Sequence, residues 1–237
     1  MKLDLLAIAA HPDDAELTCG GTLIKMARRG YKVGVLDLTR GEMGTRGSAR
    51  QRAREAAAAA RALGVHYRGN LGLPDARLEA NEKSKLAVAR SIRALQPHTV
   101  ILPYWEGRHP DHYTAAILAY EGCFLSGLKR LRIGGEAFRP FKVIYASAYH
   151  PVMPTFVVDI SEEFEQRRRA IRCYASQFRR QGEQKSAVHI PLDQLEERVN
   201  LVARYYGQMI GVKYAEPYVV REVMQVDDVV KLPVRSI

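Results

Sequence analysis

Residues 3–10 and 99–103 form two short, almost continuously apolar runs, the pattern of strands buried on both faces of a parallel sheet. Each is followed by a polar turn and then by apolar residues at helical spacing. After the first run the helix is expected over residues 17–29, stopping at Gly30. After the second it runs from Pro110, which suits a first helical position, to about Ser126. The alternation repeats in between, with a strand over 32–38, an alanine-rich helix over 49–63 closed by Gly64, a strand over 66–70 and a helix over 82–95. Such alternation predicts a Rossmann-like α/β fold of three layers, a mostly parallel central sheet flanked by helices. Beyond Gly134-Gly135 the pattern predicts strands over 141–149 and 155–160 and amphipathic helices over 161–179 and 192–210. With no repeat, low-complexity tract or linker in 237 residues, the chain reads as one domain, 1–237, to which the part from about 135 onward adds strands and helices.

Open α/β sheets place their chemistry at the carboxyl ends of strands. Here His11-Pro12-Asp13-Asp14 follows the first apolar run, and His109-Pro110-Asp111-His112 follows the second. One histidine behind a strand is usually structural, but two His/Asp clusters in equivalent places are the outline of a metal site. His11 and Asp14, three residues apart in one turn, can face a single point, and His112 is the natural third ligand. Asp13 then lies beside the ion without binding it. A free carboxylate there can take a proton from a water whose pKa a divalent ion lowers from 15.7 to roughly 7. His109, with Asp111 nearby to hold it as imidazolium, suits an oxyanion or a leaving amine. These parts fit metal-assisted hydrolysis of an amide.

The formal charge of +10 is compatible with an anionic small substrate. Its Lys and Arg residues are scattered, with no dense basic run interleaved with aromatics, so a nucleic-acid partner is not expected. Cys19, Cys123 and Cys173 are widely spaced and form no C-x-x-C pair, which argues against a disulfide framework or a thiolate zinc knuckle. Residues 3–10 are too short for a signal core and run into acidic residues, and no apolar run approaches the roughly 18 residues of a membrane span. A cytoplasmic protein without a membrane partner is expected. Gly20-Gly21 lies about ten residues past the first strand and G-x-G-x-x-G is absent, so a dinucleotide loop is excluded.

His11-Pro12-Asp13-Asp14 with Glu16, Gly20-Gly21-Thr22, Arg52-x-x-Glu55 and His109-Pro110-Asp111-His112 resemble the motifs of the LmbE/PIG-L zinc deacetylases over nearly the whole chain. The resemblance implies removal of acetyl from N-acetylglucosaminyl compounds, with His11, Asp14 and His112 as Zn²⁺ ligands. It also implies Asp13 as general base and His109 as the electrostatic or acid partner, oriented by Asp111. Arg52 is implied to reach into the pocket toward sugar hydroxyls or a carboxylate; its alternative is a solvated helix face. Glu16 is expected to be structural. Thr18, Asp75, Arg108 and His150 are candidates for the substrate rim, each with a cap, turn or surface role as its alternative.

Residues 70–75, 174–178 and 211–216 resemble the branch that deacetylates N-acetylglucosaminyl-malate in bacillithiol synthesis, an anionic acetylated amino sugar. Some relatives carry a tyrosine two residues before the first histidine of the second motif; here that residue is Gly107, with Tyr104 and Trp105 close by. Family analogy implies a homo-oligomer, a hexamer. Chitobiose-type or inositol conjugates are the alternative substrates, and the same ligand set accepts Fe²⁺ as well as Zn²⁺. An Fe(II) oxygenase would leave Asp13 and His109 without a role, and a non-catalytic carbohydrate-binding module would be expected to have lost a ligand or base.

Overall fold

The computed structural model describes residues 1–147, 150–178 and 190–234. One seven-stranded sheet runs in the order β3-β2-β1-β4-β5-β7-β6. Its strands are β1 (Leu5–Ala9), β2 (Val33–Thr39), β3 (Tyr67–Leu73), β4 (Thr99–Pro103), β5 (Lys142–Ala146), β6 (Phe156–Asp159) and β7 (Ala215–Val219). The pairs among β3, β2, β1, β4 and β5 are parallel, whereas β7 is antiparallel to both β5 and β6. The helices are α1 (Asp14–Arg28), α2 (Ala49–Leu63), α3 (Glu82–Leu95), α4 (Pro110–Ser126), α5 (Phe164–Arg172), α6 (Ala175–Phe178) and α7 (Leu192–Gln208). No helix among the described residues is long and apolar enough to cross a membrane.

The three layers follow from strand alternation. Leu6 and Ile8 of β1 pack with Val88 and Ile92 of α3 and Leu118 of α4. Leu5, Ala7 and Ala9 point to the other face, against Leu23 and Ile24 of α1, Leu63 of α2 and Ala170 of α5. Strand order reverses between β1 and β4, so the carboxyl ends of these two strands flank the switch point where such sheets bind ligands.

Several elements depart from the expected pattern for local reasons. The helix expected over 17–29 begins at Asp14 and kinks at Cys19, whose φ of −139° is not helical. The kink frees the N–H groups of Gly21 and Thr22, which both donate to Glu216 at 2.8 Å, while the Thr22 hydroxyl donates at 2.7 Å. A side chain at Gly21 would meet Ile160 at 2.8 Å, so the Gly20-Gly21 pair serves close helix packing. Glu216→Gln removes an anionic acceptor from this buried cluster; urea denaturation should show a loss of about 1–3 kcal/mol.

The helix expected over 161–179 is interrupted after Arg172, because Tyr174 turns inward to full burial and Ser176 donates to Glu55 through its N–H (2.8 Å) and hydroxyl (2.6 Å). Residue 179 lies outside the described residues, as do 148 and 149 at the end of the strand expected over 141–149. The strand expected over 66–70 continues to Leu73 through Gly72, whose φ of +62° accompanies the register shift against Asp37 and Thr39. Strand β7 lies outside the expected pattern. It is five residues long with Pro217 at its centre, a residue that lacks the N–H a ladder uses.

Candidate metal centre

The end of β1 turns directly into α1 through His11-Pro12-Asp13. Asp13 precedes the helix with φ 119° and ψ −27°, a region that non-glycine residues rarely adopt. Its side chain does not cap the helix; its Oδ2 lies 3.2 Å from Arg52 Nη2. The strain thus coincides with an ion pair that holds a carboxylate off the helix N-terminus. At the end of β4, His109 is the N-cap of α4 and its Nδ1 accepts from the Asp111 N–H at 3.2 Å. When His109 is neutral, its proton is therefore carried on Nε2.

His11 Nδ1 lies 3.2 Å from Asp14 Oδ2, and His112 Nε2 lies 3.2 Å from Asp14 Oδ1. One ligand atom from each of these three residues falls within 4.8 Å of the others. Two imidazoles and a carboxylate on rigid element ends are a fitting donor set for Zn²⁺ or Fe²⁺. His11, His109 and Asp111 satisfy the same distance test. The first group is the better centre, because Asp111 Oδ2 accepts from the Ala76 N–H at 2.8 Å and faces His11 Nε2 at 3.2 Å. Asp111 thereby fixes the His11 ring with Nδ1 toward Asp14.

Asp111, expected to orient His109, touches it through its backbone N–H. The carboxylate goes to His11, and only the Asp111 backbone meets His109. Asp75, expected at the substrate rim, is buried instead and places Oδ1 3.1 Å from His11 Nε2, while its oxygens accept from Met43 and Ala76 N–H groups at 2.8 Å. It still borders the cavity, but its hydrogen-bonding capacity is turned to the His11 ring.

Titration follows from this packing. Burial disfavours charge on His11, yet Asp14 and Asp75 outweigh it and push its pKa up to about 11. His112 is likewise raised by Asp14 against burial. Burial would raise Asp14, but His112 and His11 hold it well below the usual carboxylate range. Burial pushes Asp13 up to about 7, opposed by Arg52. His109 is lowered by burial and by the positive neighbours His112 and His11.

A cavity of about 550 Å³ opens over these groups, within the range of small-molecule sites. His11, Asp13, Asp14, His109 and His112 form part of its lining, and Thr18, Arg52, Arg108 and His150 also border it. Thr18 donates its hydroxyl to the Asp14 carbonyl at 2.8 Å, and His150 Nε2 stands 3.5 Å from Glu106 Oε2. Arg52 is not a solvated helix face. It is 5% exposed, with Nη2 donating to the Pro12 carbonyl and Nη1 to Gln177 Oε1 at 2.8 Å. Its fork is engaged in holding the His-Pro-Asp turn. A Cβ at Gly107 would meet nothing within 4 Å, and Tyr104 supplies an aromatic ring to the same cavity.

Two supporting residues had no individual signal in the sequence. Gln177 clamps Arg52 and donates through Nε2 to the Arg46 carbonyl at 2.7 Å, and Arg198 brings α7 to the cavity wall. Glu16 is fully buried and pairs with Arg68 and the Tyr174 hydroxyl, a structural position.

Comparison with known proteins adds further likenesses to the geometry. Residues 6–122 match the model of the PIG-L family, described as GlcNAc-PI de-N-acetylase. The diacetylchitobiose deacetylase of Thermococcus kodakarensis is 31% identical over 228 residues, covering 90% of this chain and 80% of that protein. The 1D-myo-inositol 2-acetamido-2-deoxy-alpha-D-glucopyranoside deacetylase of Rhodococcus erythropolis is 35% identical over 145 residues, 47% of this chain and 49% of that protein. Among solved structures, the conserved protein TT1542 from Thermus thermophilus superposes with a TM-score of 0.86 at 41% identity, covering 95% of this chain and 98% of that one.

Proposed function

This chain belongs to the PIG-L de-N-acetylase family, and on that premise we propose that it is a metal-dependent hydrolase removing the N-acetyl group from an N-acetylglucosamine conjugate, N-acetylglucosaminyl-malate in bacillithiol biosynthesis. The observation that carries the reading is the grouping of His11, Asp14 and His112 on the floor of the cavity, with Asp13 beside them and held off by Arg52. Zn²⁺ is the proposed ion, with Fe²⁺ accepted by the same ligands. When bound, it would acidify the attacking water and polarise the acetyl carbonyl.

The remaining chemistry belongs to the side chains. Asp13, ionised and restrained by Arg52, takes the proton of the water that attacks the carbonyl carbon. His109 faces the cavity and carries a proton on Nε2, through which it donates a hydrogen bond to the carbonyl oxygen as charge develops there. The proton collected by Asp13 goes to the departing nitrogen, giving acetate and the free amine. Asp111 and Asp75 fix the His11 ring throughout.

The malate conjugate is supported by the net charge of +10 and by Arg108 and Arg198 on the cavity wall. The 31% identity to a diacetylchitobiose deacetylase over 90% of the chain supports a chitobiose-type substrate as the second reading. Acetate release by the Zn²⁺-loaded protein from malate, inositol and chitobiose compounds separates them. The malate conjugate is expected to exceed the others at least about tenfold in kcat/KM, the scale of one well-placed hydrogen bond to a charged group. A preference for chitobiose replaces this substrate assignment; release from none of them overturns the deacetylase reading.

The proposed compartment is the cytoplasm, in keeping with free thiols at Cys19, Cys123 and Cys173. Self-association into the hexamer implied by analogy is supported by Tyr113, Ile117, Tyr120 and Phe124, an apolar stripe on α4 that is 39–54% exposed.

A further inference from the structure

The loop that joins β4 to α4 brings Tyr104, Glu106, Gly107, Arg108 and His109 to the cavity wall. Its own backbone does little to hold it. The Tyr104 N–H donates to the Ala146 carbonyl at 3.0 Å, and among the described residues the next backbone bond is in the first turn of α4, from the His112 N–H to the His109 carbonyl at 3.1 Å. The grip of the loop on the rest of the chain is aromatic. Trp105 packs on Tyr104 with ring centroids 4.2 Å apart and meets Tyr145 of β5 at 4.8 Å, nearly perpendicular at 87°. Behind this stack lies Arg221. It stands two residues past β7, on the face of Val219, which is the register partner of Tyr145. Its guanidinium carbon is 4.3 Å from the Trp105 ring centroid, 4.9 Å from that of Tyr145 and 5.4 Å from that of Tyr120 in α4, all within cation–π range. The Tyr145 hydroxyl is buried without a hydrogen-bond partner among the described residues, so this ring is held by its faces and edges alone.

We propose that Arg221 is a positioning residue of the site: it clamps Trp105 against β5 and α4 and thereby fixes the loop on which Tyr104, Arg108 and His109 face the cavity. The inference rests on the deacetylase reading for what those residues do and adds one that stands outside the cavity. Contact runs from Arg221 to Trp105, from Trp105 to Tyr104, and from Tyr104 to the cavity. Without the cation, Trp105 keeps only Tyr104 and Tyr145 as ring neighbours, and a loop with so few backbone bonds divides its time between placed and displaced arrangements. A site that is competent in a fraction of the molecules binds its ligand more weakly by that fraction. Substrate that has selected the placed arrangement reacts at the normal rate, so the loss falls on KM and spares kcat.

The test compares wild type with Arg221→Gln and Arg221→Lys, all Zn²⁺-loaded. Gln removes the charge and keeps part of the stem. Three ring contacts at about two- to fivefold each make a loss of about tenfold in kcat/KM the expected result, carried by KM, with metal content unchanged. Lys returns a cation to the rings and is expected to lie within about threefold of wild type. Trp105 is the single tryptophan of the chain, so emission excited beyond the tyrosine band reports on this loop directly. Acrylamide quenching without substrate is expected to rise in Arg221→Gln and to stay at the wild-type level in Arg221→Lys. An unchanged KM in Arg221→Gln, equal losses in the two variants, or equal quenching in all three proteins overturns the positioning role and leaves the deacetylase standing. Absence of acetate release by wild type overturns the deacetylase reading, and the positioning role with it.

Discussion

Asp13→Asn lowers kcat by about 10²–10⁴-fold and leaves the divalent ion bound. The side chain of Asp13 belongs to the Arg52 ion pair, whereas the proposed metal-ligand group is His11, Asp14 and His112, so removing its charge takes away the proposed proton acceptor and keeps the proposed ligands. Asn is the informative replacement because it preserves shape and tolerates positive φ better than most residues. Arg52 keeps its bonds to Pro12 and Gln177.

The pH profile provides a second readout. Burial pushes Asp13 up to about 7, so as pH falls through that value the base takes up a proton and kcat/KM declines. A divalent ion beside it adds to the pull of Arg52 on the charged form, placing the acid limb at or below about 7. The Asn variant is expected to lose the part of the limb that belongs to this carboxylate. Inductively coupled plasma analysis for metal and acetate release for rate check both halves. Wild-type turnover by Asp13→Asn removes Asp13 from the chemistry.

The site was legible in the sequence to the extent that it depends on strand ends. β1 and β4 are both short apolar runs, and they are neighbours in the sheet with Leu5 against Thr99 and Ala7 against Ile101. Any motif following one strand must approach the motif following the other, which is why two His/Asp clusters about a hundred residues apart could be placed in one cleft. What surrounds them depends on loops and on the late elements, where periodicity says little. Asp75 reaches His11 from the connection after β3, and Asp111 turns to the same ring because the Ala76 and Leu78 N–H groups accompany it there. Local spacing alone pairs Asp111 with its sequence neighbour His109.

The kink in α1 shows the same limit. Gly20-Gly21 reads as a helix weakness until Glu216 of β7 is seen accepting from the freed N–H groups, and β7 itself is hidden by Pro217. Sequence neighbours set these elements less than a partner almost two hundred residues away.

His112→Ala abolishes metal retention and, with it, turnover. Loss of an outer partner already costs about 10- to 100-fold in metal affinity, and Asp111→Asn at His11 is expected to fall in that range; removing one of three ligands costs more. The pKa directions add a proton count. His11 and His112 are both raised by their carboxylate neighbours, so at neutral pH the ion-free site binds protons where the ion would bind. Metal binding to wild type must therefore release protons, and affinity falls as pH falls through the values of these histidines. Calorimetric titration with Zn²⁺ in buffers of different ionisation enthalpy reads this release, which is expected to be lost with the binding itself in His112→Ala.

Stability moves with it. An ion that binds only the folded chain stabilises wild type by about 2.7 kcal/mol at a hundredfold excess over Kd, and a chelator reverses the gain. His112→Ala should show almost none at the same Zn²⁺ concentration while matching the chelated wild type in Tm. That match separates a lost ligand from a damaged fold, since His112 is only half-buried and lies in the first turn of α4. If His112→Ala holds Zn²⁺ with wild-type affinity and proton release, the centre is not His11, Asp14 and His112, and the alternative grouping of His11 with His109 and Asp111 takes its place.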